Sequence, residues 1–463
     1  MEEQLACGLD AAREGRIDAA VGCFAEGIQL AGGISVEIRS ALERLLVVCR
    51  DMGMDSAGHE VASNLIDNLS AEPVLAGQPY EVALLYDAVG QKEKACHFYK
   101  LAMASEPCND PLRFNYLSAL VEVGKAGEML DVFEAATERF KRSRSADLLA
   151  SWVRDRGRYR EALQLYQVLV EATEGPQKAR YQLAAGLLFE SLGDEGRAKQ
   201  AYAAAVSLKP DYAYALLRLA QIEGAGYNLS DAIKHCRQAL ETDKTMAQAT
   251  ALLGWLYYRR GDYDEASENY RQYYEASGIT STLERMGNCY YALARYYEAE
   301  HVLKEMHTKC EGTSQSWMLL GQILLKQGRF SEAIPLLEKA LQLGPGMNDA
   351  YRFLGEAYSA LEQYQEALDA YQSYLEKAAP TPEILVDMAH AYILLDRADL
   401  AQETSAEAVD LSRCHVFARQ YLALAALARD DRATFEAELS IMERLDPQIH
   451  EALKDAAEEE EEE

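Results

Sequence analysis

Apolar positions along this chain recur with a helical period, and the helical stretches come in pairs broken by a short polar turn. Three windows show the unit: LLGWLYYRRGDYDEASENY (252–270), LLGQILLKQGRFSEAIPLL (319–337) and FLGEAYSALEQYQEALDAY (353–371). Each reads apolar-small-x-x-aromatic or Leu, then about eight residues, then Ala, then an aromatic or Leu four later. The small residues recur at Gly186, Ala220, Gly254, Gly287, Gly321, Gly355 and Ala389, and the alanines at Ala162, Ala198, Ala232, Ala266, Ala299, Ala333, Ala367 and Ala401. Successive alanines lie 36, 34, 34, 33, 34, 34 and 34 residues apart, a phase that chance does not hold. A period of this length signals a stacked repeat in which each copy is a helix–turn–helix.

The pattern resembles the tetratricopeptide repeat. In that family the fourth position is aromatic, the seventh and eighth are Leu-Gly, the eleventh is Tyr, the twentieth Ala, the twenty-fourth aromatic, the twenty-seventh Ala and the thirty-second Pro. Residues 314–347 match at Trp317, Leu320, Gly321, Ala333, Ala340 and Pro345. Residues 179–212 match at Gly186, Phe189, Ala198, Tyr202, Ala205 and Pro210, and residues 76–109 at Tyr86, Ala95, Tyr99, Ala102 and Pro107. Gly8, Ala20 and Phe24 keep the phase in an N-terminal copy over 1–34. Further copies are read at 110–142, 143–178, 213–246, 247–279, 280–313, 348–381, 382–415 and 416–449.

The predicted organisation is therefore two N-terminal copies over 1–75, the second (35–75) stretched and degenerate, then a regular array over 76–415. A degenerate copy over 416–449 and an acidic, disordered tail over 450–463 follow. Met129 and Phe435 stand where Ala belongs, Cys236 and Ser405 where an aromatic belongs, and Leu117 at a small position. The resemblance implies an all-α fold, a right-handed superhelical solenoid of antiparallel helix pairs. Its stability comes from stacking, because one copy cannot bury its apolar face alone.

The resemblance also implies a concave face lined by the first helix of each copy, at its second, fifth, sixth, ninth, twelfth and thirteenth positions. Transferred here, those positions select Asn115, Arg180, Arg218, Gln221, Gln248, Trp255, Tyr258, Arg259, Arg285, Asn288, Tyr291, Gln322, Arg352 and Phe353. Arg218, Arg285 and Arg352 are two copies apart. An arginine fork suits a carboxylate, amides suit a peptide backbone, and aromatics add contact area at low entropic cost. The expectation is a non-catalytic scaffold that holds a peptide or protein partner in this groove. The Lys/Asn/Asn/Lys/Arg clamp with which some members hold EEVD chaperone tails is not matched.

Charge adds an exclusion. Forty-six Lys and Arg stand against 75 Asp and Glu, a formal net charge of −29. Nucleic acid and anionic membrane surfaces both require clustered cations, so neither is expected as a partner. No stretch approaches the apolar length of a membrane-spanning helix. The acid excess instead suggests chaperone-like capture of basic proteins through the surface and tail, and imperfect end copies suggest self-association end to end. Nine scattered cysteines without a CxxC read as reduced thiols, and the chain is expected to be cytoplasmic.

Little else carries chemistry. No Gly-rich phosphate loop, nucleophile elbow or HExxH motif occurs, so no catalytic residue and no cofactor is predicted. His301, Glu305, His307 and Cys310 lie close in sequence, but 301 and 307 fall on different faces of a helix, so no metal site is expected. Tyr273, Tyr274, Tyr296 and Tyr297 mark a tyrosine-rich surface patch.

Overall fold

A computed structural model describes residues 2–14, 77–226, 228–310 and 312–462, with isolated positions between 16 and 30 and at 63, 66 and 67. The described residues form 25 helices and no strand. Two compact units emerge, Met1–Gly226 and Tyr227–Glu463.

In the first unit, Pro79–Ala88 pairs with Lys92–Ser105, Arg144–Asp155 with Tyr159–Ala172, and Gly175–Ser191 with Glu195–Leu208. In the second, the pairs begin at Ala247–Arg260 with Tyr263–Ser277 and continue through Val416–Leu427 with Arg432–Leu445. The helices start and stop where the 34-residue phase places them. The turn explains why: wherever it is described, the fifteenth residue of a copy is left-handed. Gly90, Gly124, Gly157, Gly193, Gly261 and Gly328 adopt that conformation without a Cβ penalty. Ala294, Glu362, Asp396 and Asp430 adopt it with φ of 56, 62, 57 and 56°.

Packing follows the small-residue rule. A Cβ added at Gly254 would lie 2.9 Å from the Tyr270 ring, and one at Gly321 would lie 2.7 Å from Leu337. Gly186, Gly287 and Gly355 face Tyr202, Leu303 and Tyr371 in the same way. Each partner lies sixteen residues on, so the fully buried residue of the second helix fills the space the glycine vacates. One aromatic-position departure, Ser405, fits this scheme. Sixteen residues before it stands Ala389 rather than glycine, and both are fully buried. The smaller partner is matched by a fuller small position. Burial pushes the Cys236 and Cys289 thiols up to about 12, as expected of core residues.

Several local differences from the sequence expectation appear. The helix of copy 179–212 begins earlier, at Gly175, because Pro176 in its first turn favours initiation there. In copy 110–142, Met129 and Leu117 are buried in the core, and the second helix is short, Ala126–Glu134, followed by Glu138–Lys141. Thr137 caps that last turn by accepting from Phe140 N at 3.3 Å.

The acidic C-terminus is helical, not disordered: Pro447–Glu462 forms one helix. Asp446 accepts from Gln448 N and Ile449 N at its start, and Leu453 is buried against the cluster of Ala423, Phe435 and Met442. Apolar contact with the last pair thus orders a segment whose composition alone reads as solvated. Of the N-terminal copy, Ala20 and Phe24 lie outside the described residues, as does most of 35–75. Asp67 there accepts from Tyr86 Oη at 2.6 Å and Lys94 Nζ at 2.8 Å.

Candidate protein-interaction face

Side chains at the selected first-helix positions divide into those already engaged and those left open. In the first unit, most are engaged. Asn115 Nδ2 donates to Tyr80 Oη at 3.2 Å. Arg180 pairs with Asp147 and lies over the Tyr181 ring. Arg218 donates through Nε to Glu190 at 3.1 Å and through Nη1 to Gln221 Oε1 at 2.7 Å. Glu190 also accepts from Tyr202 Oη, so Arg218 and Gln221 belong to an internal network that ties neighbouring copies. A cleft of about 260 Å³ beside Arg180 is lined by Asp147, Ser151, Arg154, Ala184 and Leu187 among others. Asp147, Ser151 and Arg154 were not singled out from sequence. They occupy the fifth, ninth and twelfth positions of copy 143–178, so the same position rule finds them.

In the second unit the face is more open. Gln248 is exposed, Tyr258 is 38 % exposed and meets Tyr263 edge-on at 5.4 Å, and Arg259 lies 4.9 Å from the Trp255 ring centroid. Arg285 is exposed, with its guanidinium 5.8 Å from the Tyr270 ring and no carboxylate within ion-pair distance among the described residues. Asn288 donates to its own helix, at Glu284 O, 3.0 Å away. Tyr291 tilts against Tyr296 at 5.8 Å, and Gln322 is half-buried. Arg352 stacks on Phe353 at 4.1 Å and reaches Asp349 only at 4.0 Å. Phe353 differs from expectation: at 5 % exposure it belongs to the core with Leu324, Leu325 and Leu337, where it supports Arg352 from beneath.

Sequence reading also passed over the acidic continuation of this face. Glu356 occupies such a position in copy 348–381, and Glu383, Asp387, His390 and Tyr421 do so in the next copies. Asp387 keeps an accessible edge, yet crowding by the protein wall and by Glu356 pushes its carboxyl up to about 6. Tyr371 Oη lies 3.5 Å from it, and the His390 and Tyr421 rings meet at 5.3 Å nearby.

The remaining features have structural accounts. Glu305 accepts from Tyr274 Oη at 3.0 Å and Lys309 Nζ at 2.6 Å, while Tyr297 is 78 % exposed. His307 stacks on Trp317 at 3.7 Å and bonds Ser316 Oγ through Nε2 at 2.9 Å. Among the described residues no group of three His, Cys, Asp or Glu side chains is placed to hold a metal ion, and no helix is long and apolar enough to cross a membrane.

Comparison with known proteins bears on the repeat itself. The tetratricopeptide repeat profile matches residues 148–213, 183–247 and 318–382, and that of anaphase-promoting complex, cyclosome, subunit 3 matches 225–306. The protein CTR9 homolog of Arabidopsis thaliana is 25 % identical over 222 residues, 44 % of this chain and 20 % of that relative. The match therefore spans about a fifth of the relative's length. Among solved structures, the Cut9–Hcn1 hetero-tetramer of APC/C covers 91 % of this chain and 95 % of its own, at 15 % identity and a TM-score of 0.39. The C-terminal part of a TPR repeat-containing protein from Cytophaga hutchinsonii covers 53 % of this chain and 99 % of its own, at 15 % identity and a TM-score of 0.45. Proteins of the matched family are generally protein-interaction scaffolds. With helix pairs in the expected phase and the family profile matched within both units, the chain is a tetratricopeptide-repeat protein.

Proposed function

We propose that the first-helix face of the second unit holds an extended segment of a protein partner, with Arg285 as its acid-accepting position. The observation that carries this is the state of Arg285. In a chain with 75 acids and 46 bases, an exposed guanidinium set against one ring, Tyr270, and lacking a carboxylate among the described residues is an open fork. Asn288 and Gln322 supply amide groups for a peptide backbone, and Trp255, Tyr258 and Tyr291 supply rigid contact area. Further along, Glu356, Glu383 and Asp387 reverse the sign of the face. The favoured partner segment is thus acidic where it meets Arg285 and basic where it meets Asp387.

A peptide array probed with the full chain tests this. Selected peptides are expected to share an acidic residue followed by a basic one, and Arg285→Ala with Arg352→Ala is expected to weaken their capture about tenfold or more. Capture unchanged in that folded double variant refutes the assignment. A second reading, capture of basic proteins through the acid-rich surface, is favoured by the crowded Asp387 carboxyl. It requires steeply salt-dependent binding that survives Arg285→Ala, which separates the two.

A further inference from the structure

A separate cleft opens on the second helix of copy 213–246. It measures about 490 Å³ and lies between helix Leu229–Thr242 and the end of helix Ala247–Arg260. Its lining brings together Lys234, Arg237 and Arg260, with Ser230 and Gln238 beside them and Glu241 at one end. Three cations converging on one recess contrast with the net charge of −29.

Their placement is built rather than incidental. Tyr257 is buried at 2 % exposure, and its ring anchors two guanidiniums, Arg237 at 5.6 Å and Arg260 at 5.3 Å. Arg237 Nη2 also donates to Tyr257 Oη. Arg260 is paired with Asp262, but neither Lys234 nor Arg237 has a carboxylate within ion-pair distance among the described residues. Lys234 and Arg237, with Glu241 in the lining but not in ion-pair contact, repel one another, and an anion bound between them removes that cost. A guanidinium fork beside a lysine and a hydroxyl suits an anion with several equivalent oxygens, which describes phosphate better than a single carboxylate.

We infer that this cleft binds a phosphate group, with Lys234 and Arg237 as its principal ligands, Arg260 and Ser230 as supporting donors, and Glu241 as an opposing charge that limits affinity. The site lies off the first-helix face and does not depend on the peptide-binding reading above. Two sources share this chemistry, a phosphorylated side chain of a protein and a free small phosphate.

The test is calorimetric titration of the full chain, at low ionic strength, with inorganic phosphate, a phosphoserine peptide and the same peptide unphosphorylated. Binding of the phosphoserine peptide but not of inorganic phosphate assigns the source to a phosphoprotein, and comparable binding of both assigns it to a small phosphate. In either case Lys234→Ala and Arg237→Ala are each expected to weaken binding about tenfold, and Glu241→Gln is expected to strengthen it. Lys234 is exposed, so its variant keeps the native melting temperature and serves as the folded control. Binding of neither inorganic phosphate nor the phosphoserine peptide, equal binding of the unphosphorylated peptide, or equal affinity in wild type and all three variants overturns the inference.

Discussion

At Gly254 the backbone of one helix approaches the Tyr270 ring so closely that a methyl group does not fit. Gly254→Ala is expected to cost about 1–3 kcal/mol by overpacking, read as a lower melting temperature. Pairing it with Tyr270→Leu should recover part of that loss, because the two sites share one space. The sequence displayed this coupling indirectly. Ser405 looks like a defect when its copy is matched to the repeat pattern position by position. It makes sense only when read with Ala389, sixteen residues earlier. His307 offers a second residue-scale prediction. Burial, with Lys339 nearby, holds its imidazole down at about 4, and its buried Nδ1 has no partner among the described residues. The unfolded chain therefore takes up a proton near pH 6.5, while the folded one resists until about 4. Stability should fall as pH drops through that window and then level off. Fluorescence of Trp317, stacked on His307, follows the transition, and His307→Gln should flatten the slope.

Among the elements, the helix Pro447–Glu462 is the clearest case where composition misleads. Its five final glutamates and acidic end suggest a solvated tail, yet Ile449, Leu453 and Ala457 fall on one stripe, at helical spacing. That stripe covers Phe435 and Met442 of the last pair, and His450 Nδ1 meets Leu439 O at 2.9 Å. The helix serves as the closing cap of the array. Leu453→Ala should cost about 2–5 kcal/mol locally, seen as faster amide exchange over Arg432–Leu445 while exchange over Ala247–Arg260 stays unchanged. Boundaries of the regular helices were legible because Gly at the turn and Ala at the helix crossing impose the phase. Copy 110–142 keeps the turn glycine, Gly124, but has Met129 where Ala belongs, and it was legible in number but not in detail. The short helix Glu138–Lys141 follows from a Thr137 cap that the repeat pattern does not contain.

Across the molecule, the repeat positions named the right face but not the state of each side chain on it. Arg218 and Arg285 occupy equivalent positions and look alike in sequence. One is held by Glu190, 28 residues away on the preceding copy, and the other has no such acid among the described residues. Pairing is decided by which residue the neighbouring copy happens to supply, and the repeat pattern leaves that position free. The two arginines should accordingly separate in experiment. Arg218→Ala is expected to lower stability by about 1 kcal/mol or more, because Glu190 and Tyr202 lose a charged partner. Arg285→Ala should leave the melting curve in place and affect only capture of a ligand. The glycine–ring fit bears on a hazard common to tandem proteins. Neighbours this similar risk docking a helix against the wrong sibling while the chain is still folding, a misassembly typical of repeats. Here the siblings carry different keys: tyrosine at 202, 270 and 371, leucine at 303 and 337, cysteine at 236 and serine at 405. Ser405 set against Gly254 would leave a hole where a ring belongs, and such a mismatch gives the out-of-register product no reason to persist.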